Sequence, residues 1–214
     1  MNNRPNPNPS RLEVVHRHQE TIKIFESKSD SEIWIAFNTF DEMAFNYLFR
    51  TYTPQLFRYG CQFRVEDDQV QDAIQNLFIY LRAKRGSLSP VNSIKAYLFK
   101  SLQHELIKLI KKEKKKVIIS PDELEGNFLI EISIENSIID NEEKQEQLKS
   151  LKQSIKKLSP RQRQAILLLY EDGLSYKDIA EVMEFSEVKS ARKLIYRALD
   201  ALRVNMGIDK KRNE

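Results

Sequence analysis

Basic side chains recur on one face of the segment SYKDIAEVMEFSEVKSARKLIYRALDALR, which runs from Ser175 to Arg203. The pattern predicts two short amphipathic helices that meet at a tight corner, the second carrying Lys and Arg opposite its apolar arc. Long cationic donors suit phosphate oxygens and guanine edges in the major groove of DNA, which is wide enough to admit a helix. The candidate DNA contacts are Glu187, Lys189, Ser190, Arg192, Lys193, Tyr196 and Arg197.

Residues suited to catalysis or metal binding do not form a recognisable constellation. His16, His18 and His104 and the single Cys61 lack the spacing of a metal site. No glycine-rich phosphate loop is present. The carboxylates at 66–68 fall at a predicted helix start, where the helix dipole explains them. We therefore expect no enzymatic activity, no cofactor and no metal.

The composition favours helix throughout. Only five Gly and seven Pro occur in 214 residues, and the apolar residues recur mostly at helical spacing. The lone cysteine fits a reducing compartment, and no apolar run approaches the roughly 18–20 residues that span a bilayer. The start MNNRPNPNPSR lacks the apolar core of a signal peptide. We predict an all-α cytoplasmic protein without membrane insertion.

The formal net charge of +4 is unevenly distributed. Residues 94–116 hold 8 basic and 2 acidic side chains, and residues 148–214 hold 15 basic and 9 acidic. Between them, residues 117–147 hold 1 basic and 9 acidic. We therefore expect an anionic partner to touch two separate places. The acidic stretch is either a tether whose charge keeps it off DNA or an ordinary solvated linker.

Helix signals define a first unit that opens with the apolar segment SEIWIAF. Asp41 is expected to cap the next helix, and Thr53-Pro54 to restart another. Gly86 ends the following helix, and the loop GSLSPVN then leads to a last helix opened by Ser93. The apolar stripe of the helix before Gly86 is Val70, Ile74, Leu77 and Leu81.

A second unit contains the basic helix. Ser159 and Gln162 form a predicted capping box, and Gly173 ends that helix. Ser175 and Asp178 form the next box, and the letters EFS make the corner before the basic helix.

Both units together resemble a bacterial RNA polymerase sigma factor of the extracytoplasmic-function group. LSPRQRQAILLLYEDGLSYKDIAEVMEFS…RKLIYRALDALR is similar to the C-terminal sigma domain that binds the minus-thirty-five promoter element. AFNYLFRTYTPQLFRYG…DAIQNLFIYL…IKAYLFKSLQHELIKLIKK is similar to the N-terminal sigma domain. The resemblance implies two small helical domains joined by an acidic linker. The predicted parts are a disordered tail at 1–30, the N-terminal domain at 31–116, the linker at 117–147, the C-terminal domain at 148–206 and a tail at 207–214.

Two further sites follow from the resemblance. The family pattern that docks on the β′ coiled coil of polymerase matches Asp72, Gln75, Asn76 and Phe78. In the family, a loop and helix open the minus-ten element, capture an extruded base and hold the separated strand. The matching residues are Arg85, Ser87, Asn92, Lys95, Tyr97, Phe99, Lys100, Gln103, His104 and Lys108. Tyr97 and Phe99 cannot both point outward from one helix, so we expect one of them to lie in the core.

The resemblance implies a protein that binds core RNA polymerase, through the β′ coiled coil and the β flap, and directs promoter-specific transcription initiation. Promoter DNA, as duplex and as melted strand, and an anti-sigma factor are the other implied partners. Relative to the family, Glu184 stands at the corner where relatives often carry Gly, and the basic helix is one residue longer at its start. These two departures leave open which of Glu187, Lys189, Ser190 and Lys193 reach bases. Two alternatives remain: a helix-turn-helix regulator that binds duplex DNA without polymerase, and a protein-interaction adaptor with no DNA role.

Overall fold

The structure is a computed structural model that describes residues 24–63, 65–114 and 142–208. The predicted tail as far as residue 23, the linker at 117–141 and residues 209–214 lie outside the described residues. Eight helices have defined bounds within these ranges, and the predicted all-α fold is confirmed. They are α1 (Asp30–Asn38), α2 (Glu42–Gly60), α3 (Asp67–Ala83), α4 (Ile94–Lys114), α5 (Glu142–Lys156), α6 (Pro160–Tyr170), α7 (Tyr176–Val182) and α8 (Val188–Asn205).

Helices α1–α4 form the N-terminal domain around an apolar core. Helix α2 contacts the other three, and α3 also contacts α4. Phe25 is 1% exposed and its ring stacks on Tyr47 with centroids 5.3 Å apart. The folded part therefore begins before residue 31, where the sequence placed the boundary.

Local signals position the helix ends of this domain as predicted. The Asp41 carboxylate accepts hydrogen bonds from the amides of Met43 and Ala44 at 2.7 and 3.2 Å. Gly86, beyond the end of α3, has a φ of 82°, which glycine adopts without the steric penalty of a side chain. The Ser93 hydroxyl accepts from the Ala96 amide at the start of α4.

Pro54 does not restart a helix, and that prediction is wrong. Helix α2 runs through it from Glu42 to Gly60. Proline removes one backbone donor and costs roughly 3 kcal/mol inside a helix. The helix continues because its buried stripe spans the proline: Leu48 and Tyr52 precede it, and Leu56 follows. Tertiary packing therefore outweighs the local signal.

Helices α5–α8 form the C-terminal domain. The capping boxes of Ser159 with Gln162 and of Ser175 with Asp178 are both present, as the sequence predicted. Helix α8 packs on α6 and α7, and it also contacts α5. Helix α5 begins at Glu142, inside the segment predicted to be linker. The pair α7–α8 forms the helix-turn-helix.

Candidate nucleic-acid interface

The outer face of α8 is exposed. Ala191, Ile195 and Ala198 are fully buried against the rest of the domain, so the opposite face of the helix points to solvent. Six of the seven predicted contacts are exposed and Ser190 is half-buried. The exposed residues are Glu187, Lys189, Arg192, Lys193, Tyr196 and Arg197. The structure thus presents the whole predicted set together.

The corner between α7 and α8 has an unusual backbone. Glu184 has a φ of 57°, in the left-handed region that favours glycine. An L-residue other than glycine pays about 1–2 kcal/mol for this conformation. The glycine that the resemblance implies at this corner would adopt the same backbone without that cost. The Glu184 side chain contacts Lys100 and His104 of α4, and glycine could make neither contact.

Two residues predicted to contact the melted strand lie in the core, and the structure contradicts their placement on a DNA surface. The Arg85 side chain is 2% exposed. Its guanidinium lies between the rings of Phe37 and Phe45, at 4.8 and 4.9 Å from their centroids, and pairs with Glu42 at 2.7 Å. Phe99 is fully buried.

Phe99 packs against Tyr59, with ring centroids 4.9 Å apart. Tyr97 is half-buried instead, and its ring meets Trp34 edge-on at 5.2 Å. The expectation that one of Tyr97 and Phe99 belongs to the core is therefore confirmed, with Phe99 as the core residue.

The remaining predicted strand contacts divide into an open and a covered group. Ser87, Asn92 and Lys108 are exposed. Lys108 pairs with Glu105 on its own helix at 2.6 Å. The covered residues are Lys95, Lys100, Gln103 and His104, all on α4, and each contacts the C-terminal domain.

Three cationic or titratable side chains of α4 reach the C-terminal domain. Lys95 donates a hydrogen bond to the backbone carbonyl of Asp172, just beyond α6. Lys100 and His104 both contact the Glu184 carboxylate, at 3.4 and 3.1 Å. Burial opposes ionisation of Glu184, but hydrogen bonds from Lys100 and His104 outweigh it and lower the pKa of its carboxyl.

A polar triad also joins the two domains. The Gln164 amide of α6 donates to the Tyr59 hydroxyl at 2.8 Å and to the Gln103 amide oxygen at 2.7 Å. The Tyr59 hydroxyl donates to Gln103 at 2.8 Å. Gln164 is buried, and burial raises the pKa of Tyr59 above its ordinary value. Buried polar groups that satisfy one another specify one arrangement of the surrounding helices.

Asp172 is a buried acid, 5% exposed, at the junction where α4 meets the C-terminal domain. Burial raises the pKa of its carboxyl to about 7, although Lys95 across the junction pulls it down. Burial likewise lowers the pKa of Lys95. Removing water from both groups therefore favours their neutral forms.

The predicted polymerase-docking residues lie on α3. Asp72, Gln75 and Asn76 are exposed. Phe78 is 2% exposed and meets the Phe49 ring edge-on at 5.0 Å, so its placement on that surface is contradicted. An apolar groove of ≈ 360 Å³ lies beside the exposed residues. It is lined by Phe49, Thr53, Pro54, Phe57, Gln71, Ile74 and Gln75.

Across residues 24–63, 65–114 and 142–208 no group of three or more His, Cys, Asp or Glu side chains is arranged to hold a metal ion. None of the helices in these ranges has the length and hydrophobicity needed to cross a bilayer.

The described residues form two helical domains, and the second contains a helix-turn-helix. Residues 148–202 match the family "Sigma-70, region 4". The predicted resemblance to extracytoplasmic-function sigma factors is confirmed. A search of curated proteins finds no match.

Two solved structures share the fold. One is the sigma factor RpoE of Bartonella quintana in complex with the anti-sigma factor NepR, at 23% identity and a TM-score of 0.54. That comparison covers 78% of this chain and 98% of RpoE. The other is CnrH in complex with the cytosolic domain of CnrY, at 17% identity and a TM-score of 0.53, covering 85% of this chain and 100% of CnrH.

Sequence reasoning missed the residues that cover α4. Glu184 carried a signal, because an acidic residue replaced an expected glycine. Gln164 and Asp172 carried none, since their partners Tyr59, Gln103 and Lys95 lie far away in the chain and no local pattern links them.

Proposed function

We propose that the chain binds core RNA polymerase and directs transcription initiation from specific promoters. Helix α8 reads the minus-thirty-five duplex, and the loop after α3 with α4 holds the melted minus-ten strand. The exposed residues Asp72, Gln75 and Asn76 of α3 contact the β′ coiled coil, and the C-terminal domain contacts the β flap.

The basic face of α8 is the observation that carries this proposal. Lys189, Lys193 and Arg197 are exposed on the last helix of a region 4 domain. A helix fits the major groove, and a good bidentate contact to a base contributes about 1–3 kcal/mol of discrimination. Contacts to phosphates add affinity that falls steeply with salt.

The test is run-off transcription from genomic fragments with core polymerase, in the presence and absence of this protein. The proposal predicts new transcripts from defined start sites only when the protein is added. A protein that binds core polymerase but never stimulates initiation would contradict it.

We further propose that the described arrangement is a closed state of the free protein. The polar groups of Lys95, Lys100, Gln103 and His104 that would hold a DNA strand are engaged by the C-terminal domain, so the two sets of contacts compete. Binding to polymerase therefore has to separate the domains before α4 can act. Because the basic face of α8 is exposed, it can bind duplex DNA first. Helix α4 is covered, so capture of the melted strand comes second.

A helix-turn-helix regulator that acts without polymerase is the second candidate, favoured by the exposure of α8 in the free chain. Such a regulator would bind its duplex site tightly and alone. A gel shift without polymerase separates the two functions, because the proposal predicts that the exposed α8 alone binds its duplex site weakly and that tight binding requires the holoenzyme. For the adaptor alternative, Arg197→Glu would leave function intact.

An anti-sigma factor is a further proposed partner. RpoE was solved with NepR and CnrH with the cytosolic domain of CnrY, so both proteins of this fold bind a second protein. A partner that stabilises the contact between α4 and the C-terminal domain would inhibit initiation. Co-purification of the chain with a protein that blocks run-off transcription would identify it.

A further inference from the structure

The loop between α3 and α4 is held at its backbone by two side chains of α1. The Asn38 amide oxygen accepts hydrogen bonds from the Gly86 amide at 2.7 Å and the Leu88 amide at 3.4 Å. The Asn38 amide nitrogen donates to the Leu88 carbonyl at 3.1 Å. The Trp34 indole donates to the Ser89 carbonyl at 2.9 Å.

These contacts fix the backbone of the loop while its side chains stay outside. Ser87, Ser89 and Asn92 are exposed, whereas Trp34 is 2% exposed. The Trp34 ring also meets the Tyr97 ring edge-on, so one side chain supports both the loop and the first turns of α4. A loop held in this way presents its polar groups in one arrangement before any ligand arrives.

Both ends of the loop are anchored as well. At its start, Arg85 is held between Phe37 and Phe45 and by Glu42. At its end, the Ile94 amide donates to the Asp30 carboxylate of α1 at 2.7 Å. The loop is therefore fixed along its length by α1 and its neighbours.

We infer that Trp34 and Asn38 are positioning residues that pre-order this loop for base capture and so set how strictly the promoter base is selected. This inference rests on the proposed function. An extruded base is unstacked at a cost of a few kcal/mol, which a fitted pocket recovers. A pocket that is ordered in advance keeps more of its binding energy, because less conformational freedom is lost on binding. The loop side chains touch the base, and Trp34 and Asn38 act through the backbone that carries them.

The experiment uses the holoenzyme on a promoter found by run-off transcription, with all four bases tested at each minus-ten position. Asn38→Ala removes three of the four hydrogen bonds. We expect it to lower the ratio of transcript from the preferred base to transcript from the others about fivefold. Trp34→Phe keeps an aromatic ring and loses the indole donor together with part of the buried ring, and we expect about a twofold loss. Asn38→Asp keeps the acceptor oxygen and should restore part of the ratio.

The matched control is Asn205→Ala, which removes a side-chain donor to the Ser154 carbonyl in the C-terminal domain. It should leave the ratio unchanged. Amide hydrogen exchange of the free protein supplies a second readout, since Gly86 and Leu88 should lose protection in Asn38→Ala and keep it in the control. This readout applies even if the variant initiates poorly.

The outcomes distinguish failure of the proposed function from failure of the positioning role of Trp34 and Asn38. A wild-type protein that never stimulates initiation overturns the proposed function and this inference with it. A wild-type protein that initiates, alongside an Asn38→Ala variant with unchanged base selection, overturns the positioning role alone. Lost selection in Asn38→Ala with partial recovery in Asn38→Asp supports it.

Discussion

Helices α8 and α4 are both basic and both are proposed to bind DNA, yet their basic faces have different surroundings in the structure. Helix α8 shows its cationic face to solvent, while α4 turns Lys95, Lys100 and His104 towards the C-terminal domain. Charge and periodicity are similar in the two helices, so composition alone does not determine which surface is available. Contacts between distant parts of the chain do.

The largest expected effect concerns the open helix. Arg197→Glu places a negative charge on the exposed face of α8 without disturbing the buried one. We expect the affinity of the holoenzyme for its promoter duplex to fall about a hundredfold, because a favourable contact is lost and a repulsive one is introduced. Filter binding at fixed salt measures the affinity of the holoenzyme for the promoter duplex.

Lys149→Glu is the control for that variant, because Lys149 is exposed on α5 rather than on α8. The same charge reversal there should change affinity little. Equal losses in the two variants would show that overall charge, and not the face of α8, attracts DNA.

The covered junction should make stability depend on pH. The folded protein holds the proton of Asp172 up to about pH 7, whereas the unfolded chain releases it near the ordinary pKa of the group. Rising pH therefore favours the unfolded state between these two values, and stability should fall by about 2 kcal/mol from pH 5 to pH 7.

Urea denaturation at several pH values measures this dependence. Lys95, Glu171 and Arg58 are the charged groups that act on Asp172. Asp172→Asn has no proton to release, so its stability should vary less. A wild-type slope unchanged by Asp172→Asn would assign the dependence to other groups.

Glu184→Gly should free part of the basic face of α4, so that α4 becomes exposed as α8 is. It removes the contacts to Lys100 and His104 and also relieves the left-handed backbone strain. The free protein should bind a single-stranded minus-ten oligonucleotide about fivefold more tightly, since exposed ion pairs contribute up to about 1 kcal/mol. Fluorescence anisotropy measures the change.

Glu181→Gln removes the same charge from α7 and keeps the Glu184 contacts, so it should leave oligonucleotide binding unchanged. The thermal stability of the C-terminal domain should not fall in Glu184→Gly. Tighter binding in both variants would point to a general loss of negative charge rather than to opening.

Asp72→Ala tests a helix outside the contact between α4 and the C-terminal domain, and we expect its effect to be the smallest. Asp72 is exposed on α3 and takes no part in the junction. Asp72→Ala should weaken binding to core polymerase about threefold through loss of one charge. Oligonucleotide binding by the free protein should stay the same. Unchanged polymerase affinity would argue against α3 as the docking helix.

The sequence predicted the parts of the fold that depend on local chemistry. The caps at Asp41, Ser159 and Ser175 and the glycine at 86 all lie where residue types placed them. These features depend on a few neighbouring side chains, and such patterns are readable in a single chain. The exposed face of α8 was predictable for the same reason.

The failures share a cause in packing over long sequence separations. The predicted helix restart at Pro54 is wrong because the buried stripe that keeps α2 intact is a property of the whole domain. Arg85 and Phe78 were assigned to surfaces by motif position, but both face the core. The cover over α4 depends on pairs such as Gln103 with Gln164, for which helical spacing provides no signal.

The distance between the two domains tests the central claim most directly. In a Cys61→Ser background, which removes the native thiol, Arg50→Cys on α2 and Lys152→Cys on α5 supply thiols for dyes at two exposed positions. Energy transfer should report one short distance in the free protein and a longer one after core polymerase is added. An initiating holoenzyme that keeps the short distance would contradict the account, because α4 would then melt promoters while still covered.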